Sequence, residues 1–341
     1  MASLELFLEK SIPKSLKNKR VAGLFHPASV LKGFVHSLDY MVSKGVTFKA
    51  LLGPQHGIKG ETQDNMIEWE GYQHPNLKIP VYSLYGEFRK PTKKMLTDID
   101  VVFIDLQDIG ARYYTFIWSL FLCMERCEEM GIPVVVHNRP NPISCPGFTE
   151  GPILDLEYTS FVGLHSIPIR HSQTIGDLAR QFKKERFPKV QLEILEMTNY
   201  LDRQWFDQTG LPWVLPSPNM PTIETAIIYP GQCLLEGTNL SEGRGTTRPF
   251  ELFGAPFIDA EDLCKHLNSL KLPGLYFRPF WFIPTFHKWA GEICAGAQIH
   301  ILNRDLVRSF DMTVEILKYC FQKYPKDFHW RTQEYEYEKK N

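Results

Sequence analysis

Four short apolar runs, each closed by a polar loop and separated from the next by a segment of helical spacing, constrain this chain more than any other feature. They lie in RVAGLFHPAS, VTFKALLGPQHG, DVVFIDLQD and IPVVVHNRPNP. Aliphatic and β-branched runs without alternation are what strands covered on both faces require. The intervening segments KGFVHSLDYMVSKG, PTKKMLTDI and YTFIWSLFLCMERCEEMG have apolar residues at helical spacing. Their ends carry the expected signals, a glycine stop or a Pro-Thr start. The order β-α-β-α-β-α-β predicts an α/β protein, with a Rossmann-like N-terminal domain built on a parallel sheet.

A further helix, TIGDLARQFKKER, starts at Thr174 and leads to the strand-like VQLEILEM. The proline-rich GLPWVLPSPNMPTIETAIIYPG is expected to be irregular as far as TAIIYP. Alternation stops near Tyr229 and Pro230. The expected domains are therefore 1–229, Rossmann-like and catalytic, and 230–341, a smaller α+β C-terminal domain closing a ligand cleft. The second domain contains helix candidates AEDLCKHLNSL and RDLVRSFDMTVEILKYCFQKY.

Composition narrows the function classes. At 341 residues, 43% hydrophobic and 23% charged, the chain has the make-up of a globular protein with room for two domains. A net charge of -1 gives no reason to expect nucleic acid as a partner. MASLELFLEKSIPKSLKNKR has no apolar h-region, and no run approaches the ~18 apolar residues of a membrane span. No membrane partner and a cytoplasmic location are the expectations. The seven cysteines are scattered and form no CxxC, and the Cys123–Cys127 pair has no histidine pair to complete a zinc set. Buried reduced thiols are expected.

Ligands of doubly wound sheets bind outside the carboxyl ends of the strands. Here those ends carry HPAS, GPQHG, DLQD and HNRPNP, all polar. GPQHGIKGETQ lacks the spacing of a phosphate loop, and Pro54 removes an amide donor. No G-x-G-x-x-G opens the first helix. No nucleotide cofactor is therefore expected. His56, Asp64, Asp105, Asp108 and His137 could offer metal ligands, but without the spacing of a two-His-one-carboxylate site, so no metal is expected either. In DVVFIDLQDIGARYYTF, Asp105, Asp108 and Arg112 at a helix start suit an anionic or hydroxyl-rich ligand. Alternatively Asp108 caps that helix and pairs with Arg112. EGTNLSEGRGTTRPF is the densest polar run, set between an apolar strand leading in and PFELFGAPF leading out. Such an embedded loop must find partners for its polar groups.

The stretches LLGPQHGIKGE, VYSLYGEFRKPTKKML, DVVFIDLQDIGARYYTFI, NRPNP with EGPILD, PSPNMPT and YPGQCLLEGTNLSEGRGTTRPFELFGAPF resemble the NamZ-type exo-β-N-acetylmuramidases. This glycoside hydrolase family was long catalogued as a domain of unknown function. The resemblance runs from Arg20 to residue 325 or so. It implies a Rossmann-like domain, a smaller C-terminal domain and no cofactor. The implied activity is removal of N-acetylmuramic acid, or a related amino sugar, from the non-reducing end of peptidoglycan fragments in cell wall recycling. Members are often exported. Their loop usually reads Pro-Glu-His-Gly, the glutamate being the favoured acid, whereas this chain has Gln55. An amide cannot donate a proton as a carboxylic acid does. The alternative is a carbohydrate-binding or sensing protein that kept the cleft and lost turnover.

Glycoside hydrolysis needs a proton donor on the leaving oxygen and a second group at the oxocarbenium-like centre. Glu68 is the first candidate acid, because burial between Ile67 and Trp69 would raise its pKa. His56 is the second, and Asp105 and Glu242 complete the catalytic candidates. The substrate-binding candidates are Gln55, Asp108, Arg112, Asn138, Arg139, Arg170, His171, Asn219, Asn239 and Arg244. Among them Arg112, Arg170 or Arg244 would meet the lactyl carboxylate of a muramic sugar.

Overall fold

The computed structural model describes residues 12–60, 62, 67–201 and 204–332. The chain forms two compact units. The first comprises Met1–Gly110, Tyr114–Gly147 and Ser172–Pro218, and the second Ala111–Tyr113, Phe148–His171 and Asn219–Asn341.

In the first unit the apolar runs become strands β1 (Arg20–Leu24), β2 (Thr47–Gly53), β3 (Tyr72–Gln73), β4 (Pro80–Ser83), β5 (Val101–Ile104) and β6 (Val134–His137). Helix α1 (Ser37–Ser43) follows β1, and α2 (Phe116–Met130) follows β5. PTKKMLTDI makes only a 3-10 turn, Lys94–Leu96. Thr97 leaves that turn extended, and Asp98 takes a left-handed φ of 60°, so no helix can propagate. The long helix starts later than expected: Thr115 is its N-cap, and Gly131 closes it in the left-handed conformation.

The unit's sheet has the order β3-β4-β2-β1-β5-β6, extended at the far edge by a strand at Leu192–Leu195. All pairs are parallel except β3 with β4. Leu24 is in register with Leu52 and Ile104, and Ile104 with Val136. The polar loops that follow therefore leave the sheet at one edge. From central β1 the chain moves to β2 and β4, then returns to β5 on the other side. The topological switch point thus lies between β1 and β5.

Phe25 anchors one face of the sheet, its ring 5.7 Å from both Phe48 and Phe103. On the other face Phe121 of α2 packs at 5.0 Å on Phe182, which belongs to the helix Ile175–Glu185. Full burial of such a side chain contributes roughly 1.5–3 kcal/mol. Thr174 caps that helix in a reciprocal box with Asp177, the hydroxyl accepting from Asp177 N at 3.2 Å and the carboxylate from Thr174 N at 3.1 Å.

The second unit holds a two-stranded antiparallel pair, β7 (Glu150–Ile153) and β8 (Pro168–Arg170). Following the first unit's α3 (Ile175–Glu185) and β9 (Leu192–Leu195), its remaining elements are α4 (Ile223–Gln232), β10 (Leu252–Ala255), α5 (Ala260–Ser269), β11 (Leu275–Phe282), β12 (Cys294–Ile301) and α6 (Ser309–Lys323). The last strands form an antiparallel sheet of order β10-β12-β11. Helix α4 corrects two expectations. It begins at Ile223, capped by the Thr222 hydroxyl, and runs through Pro230. The expected boundary at Tyr229 and Pro230 therefore falls inside a helix. With the 3-10 turn Cys233–Gly237, that helix leads into the EGTNLSEGRG loop where a strand was expected. Ile227 and Ile228 gave the segment its strand-like look, and Pro230 argued against a helix. Gln232 fastens α4 to α6 through Thr313 Oγ1 at 3.0 Å.

Among the described residues no helix is long and apolar enough to cross a membrane.

Candidate active site

The GPQHG loop leaves β2 at the sheet's carboxyl edge. Gln55 and His56 are both buried there. Gln55 Oε1 accepts a hydrogen bond from the Thr115 hydroxyl at 2.7 Å, which ties the loop to the start of α2. His56 holds a left-handed φ of 67°, strain of a kind that persists where surrounding structure enforces it. Its Nδ1 faces the Thr62 carbonyl oxygen at 2.9 Å. In the neutral ring that contact puts the proton on Nδ1 and makes Nε2 the acceptor. Trp69 covers the loop from one side, donating from Nε1 to the Pro54 carbonyl at 3.1 Å. Gly53 permits this approach, since a Cβ there would lie 2.6 Å from the indole.

Glu68 departs from its expected surroundings. Its side chain is 43% exposed and pairs with Arg89 at 3.5 Å, while Ile67 is also exposed. Trp69 turns inward and Glu68 outward, so no apolar sandwich encloses the carboxyl. Asp64 lies outside the described residues.

Asp105, Asn138 and Arg139 follow β5 and β6 but turn into the protein. Asp105 is fully buried, with His137 Nδ1 at 3.1 Å and Arg139 bonded through Nε and, at 2.9 Å, Nη2. Burial opposes its ionisation, yet Arg139 and His137 outweigh that and hold the carboxyl well below the usual carboxylate range. A carboxylate so committed is no proton donor. Arg139 also donates to Val30 O at 3.0 Å, and Asn138 accepts from Gly176 N at 2.9 Å and donates to Glu196. Both secure strand ends to neighbouring elements. Asp108 accepts from Gly110 N at 2.8 Å rather than capping α2. At the switch point His26 Nε2 accepts from Gln107 N at 2.7 Å. Burial, then Arg139, push the His26 imidazole well below its usual pKa, so it stays neutral.

Within the second unit Arg112 donates from Nη1 to the carbonyls of Pro152 and Ile167 at 2.8 and 2.6 Å. Arg170 is wholly buried and pairs with Glu150 at 2.5 Å; Glu150 in turn accepts from Phe310 N at the start of α6. These contacts tie Nη1 of both arginines to other groups of the second unit. His171 and Asn219 are buried in this unit.

The EGTNLSEGRG loop gathers Asn239, Glu242 and Arg244 as its composition led one to expect. It also recruits partners that the sequence did not mark. Glu242 is fully buried, with Lys288 Nζ at 2.9 Å, His287 Nδ1 at 3.1 Å and Arg244 Nε at 3.3 Å. Its burial disfavours charge, but Lys288, His287 and Arg244 together lower its pKa. Arg244 also meets Glu236 at 2.7 Å. Gly245, at φ 78°, brings the loop against the 284–286 backbone: a Cβ there would sit 2.7 Å from Phe286 O, and Thr285 N donates to Gly245 O at 2.9 Å. Nothing local in the sequence announces this, because FHKW carries no motif and Lys288 is 46 positions from Glu242. Thr115 was equally unmarked, lying beside the more conspicuous Tyr113 and Tyr114. Among the described residues no group of three or more His, Cys, Asp or Glu is placed to hold a metal ion.

Comparison with known proteins covers both units. A family model described as exo-beta-N-acetylmuramidase NamZ, N-terminal, matches residues 21–224, and its C-terminal counterpart matches 227–340. The peptidoglycan beta-N-acetylmuramidase NamZ of Bacillus subtilis (strain 168) is 44% identical over 318 residues, which are 93% of this chain and 76% of that protein. A DUF1343 family crystal structure from Bacteroides fragilis NCTC 9343 matches with a TM-score of 0.87 at 33% identity, covering 95% of this chain and 83% of that one. A second from the same organism matches with a TM-score of 0.71 at 27% identity, covering 95% and 82%.

Proposed function

The chain belongs to the exo-β-N-acetylmuramidase NamZ family, and we propose from that premise that it is a glycosidase removing N-acetylmuramic acid from the non-reducing end of peptidoglycan fragments. The observation that carries this reading is the 44% identity to a peptidoglycan muramidase over 93% of the chain.

In the proposed reaction the bond between the sugar's anomeric carbon and the leaving oxygen breaks, the oxygen takes a proton, and water supplies the new anomeric hydroxyl. Gln55 holds the sugar through its amide, which has both donors and an acceptor for hydroxyl and N-acetyl groups. His56 is the proton-transferring group of the loop. Its burial and the Nδ1 contact to Thr62 O support that role better than the exposed, Arg89-paired Glu68 supports the same one. The cytoplasm, a reducing compartment, is the proposed place of action: all seven thiols are free and five of them are buried.

Incubation with a chromogenic N-acetylmuramide, beside the Gln55→Glu variant, tests the reading. The wild type is expected to release the chromophore. If only Gln55→Glu turns over, the chain is a carbohydrate-binding protein and the hydrolase reading fails.

A further inference from the structure

The three-stranded sheet of the second unit has two edges, and the chain closes them unequally. At β10 the Ser241 backbone makes the closure: Ser241 N donates to Gly254 O at 2.8 Å, and Gly254 N to Ser241 O at 3.0 Å. At β11 the closure is Asn268 of α5, whose side-chain amide accepts from Phe277 N at 3.0 Å and donates to Phe277 O at 2.8 Å. Leu275 N is taken by Leu272 O at 3.3 Å. An open strand edge is a template for another strand, so closures of this kind keep a sheet solitary.

The closure of β11 stops at Pro279. The bonds to Asn268 mean that Phe277 turns its N–H and C=O away from β12. The register from Leu275↔Ile301 to Phe282↔Cys294 runs without a shift, so the same outward direction returns at Pro279 and at Trp281. Pro279 has no N–H to offer. Trp281 presents both its N–H and its C=O, and among the described residues no side chain or loop caps them. Natural edges are commonly guarded by charged side chains, yet the stretch 279–283 reads PFWFI.

The open stretch is also apolar on one face. Alternation puts the Trp281 side chain on the face of buried Phe277, yet Trp281 is 54% exposed. Ile283 and Ile293 are the next residues beyond the Phe282–Cys294 pair, and they are 53% and 64% exposed. Outward backbone groups beside three exposed apolar side chains suit the addition of an extended strand. A second copy of the same strand fits. In an antiparallel pair with a twofold axis at Trp281, the two Trp281 residues exchange N–H···O bonds. Each Pro279 C=O then meets the Ile283 N–H of the other copy, and the missing Pro279 N–H removes only one bond per copy. The axis keeps Trp281, Ile283 and Ile293 of both copies on one face, where they form a single apolar patch. A net charge of -1 per chain sets up little repulsion between copies.

We propose that the β11 edge from Pro279 to Ile283 is a self-association surface, at which two copies of the chain pair antiparallel about Trp281 and join their three-stranded sheets into one. This inference is independent of the proposed function.

Sedimentation equilibrium of the full chain tests the proposal over about 1–200 μM, because an interface at the small end of the size range gives a dissociation constant of order 10 μM. A reversible shift from 39.5 kDa to twice that mass is expected. Trp281→Lys and Ile293→Lys, both at exposed positions, are each expected to weaken association at least about thirtyfold, the scale of a lost hot-spot side chain. Should one of them not fold by circular dichroism, the other carries the test. The register is read separately by cysteine substitution, with the wild type under the same mild oxidant as the background of native thiols. Trp281→Cys is expected to form an interchain disulfide, because the axis brings its two Cα atoms to about 5.5 Å. Ile293→Cys is expected to stay at background, since both β11 strands lie between its two copies. A chain that stays monomeric throughout, or a dimer that the folded lysine variants leave intact, overturns the proposal. Equal cross-linking of the two cysteine variants overturns it as well.

Discussion

The Thr115 hydroxyl donates to Gln55 Oε1 across 2.7 Å, and both residues are buried. The hydroxyl thereby selects which end of the amide faces α2, and a carboxylate at position 55 could accept the same bond. The sugar-holding role proposed for Gln55 predicts that Gln55→Ala raises KM about tenfold and changes kcat less, because a binding contact is lost without a proton donor. Thr115→Val, which only frees the amide to reorient, is expected to raise KM about threefold. Steady-state kinetics on a chromogenic N-acetylmuramide measure both, and a pure kcat loss in Gln55→Ala would contradict the assignment.

His56→Ala is expected to lower kcat by about 10²–10⁴, the usual worth of a positioned acid or base. Glu68→Gln is expected to stay within about threefold of wild type, as befits an exposed pair with Arg89. The reverse ranking in the same kinetic assay would return the acid to Glu68.

Asp105 is held ionised by Arg139 and His137. Because its folded pKa lies below the unfolded one, its stabilisation is complete above the unfolded value of about 3.9 and is lost as pH falls through the folded value. Asp105→Asn leaves Arg139 buried without its counter-charge and is expected to cost about 3–5 kcal/mol near neutrality. Urea denaturation from pH 7 downward should show the wild type and variant converging only below about pH 4. A constant gap down to the lowest pH would show that the ion pair is not its source.

The sheet was legible because its strands are buried on both faces, and RVAGL, VVFI and VVVH have no alternative use for so many aliphatic residues. The Thr174 start was legible because a capping box is local in sequence. Direction was not. Glu68 and Trp69 are neighbours in sequence but face opposite ways, and Arg139 follows a strand end yet folds back to Asp105. Glu242 could be recognised as part of a ligand-like loop, whereas Lys288 and His287 could not, because only tertiary structure brings them to it. Helix α4 was misread because Ile227, Ile228 and Pro230 suit a strand end by local preference, and packing against α6 overrode it.

Glu242 and Lys288 are expected to couple strongly. A double-mutant cycle with Glu242→Gln and Lys288→Met, read by thermal or urea denaturation, should give an interaction energy of about 1–3 kcal/mol. Lys288→Met takes a cation from the buried Glu242 carboxylate and Glu242→Gln leaves the partly buried Lys288 without its counter-charge, whereas the double change removes both charges. Additive effects would mean that Arg244 and His287 alone satisfy the carboxylate.

The most direct measurement uses a defined peptidoglycan oligosaccharide with N-acetylmuramic acid at its non-reducing end, its products identified by mass spectrometry. Release of single N-acetylmuramic acid residues from that end, with the rest of the chain left intact, is the predicted result. Internal cleavage, release of N-acetylglucosamine first, or an unchanged oligosaccharide that only Gln55→Glu can process would contradict the account.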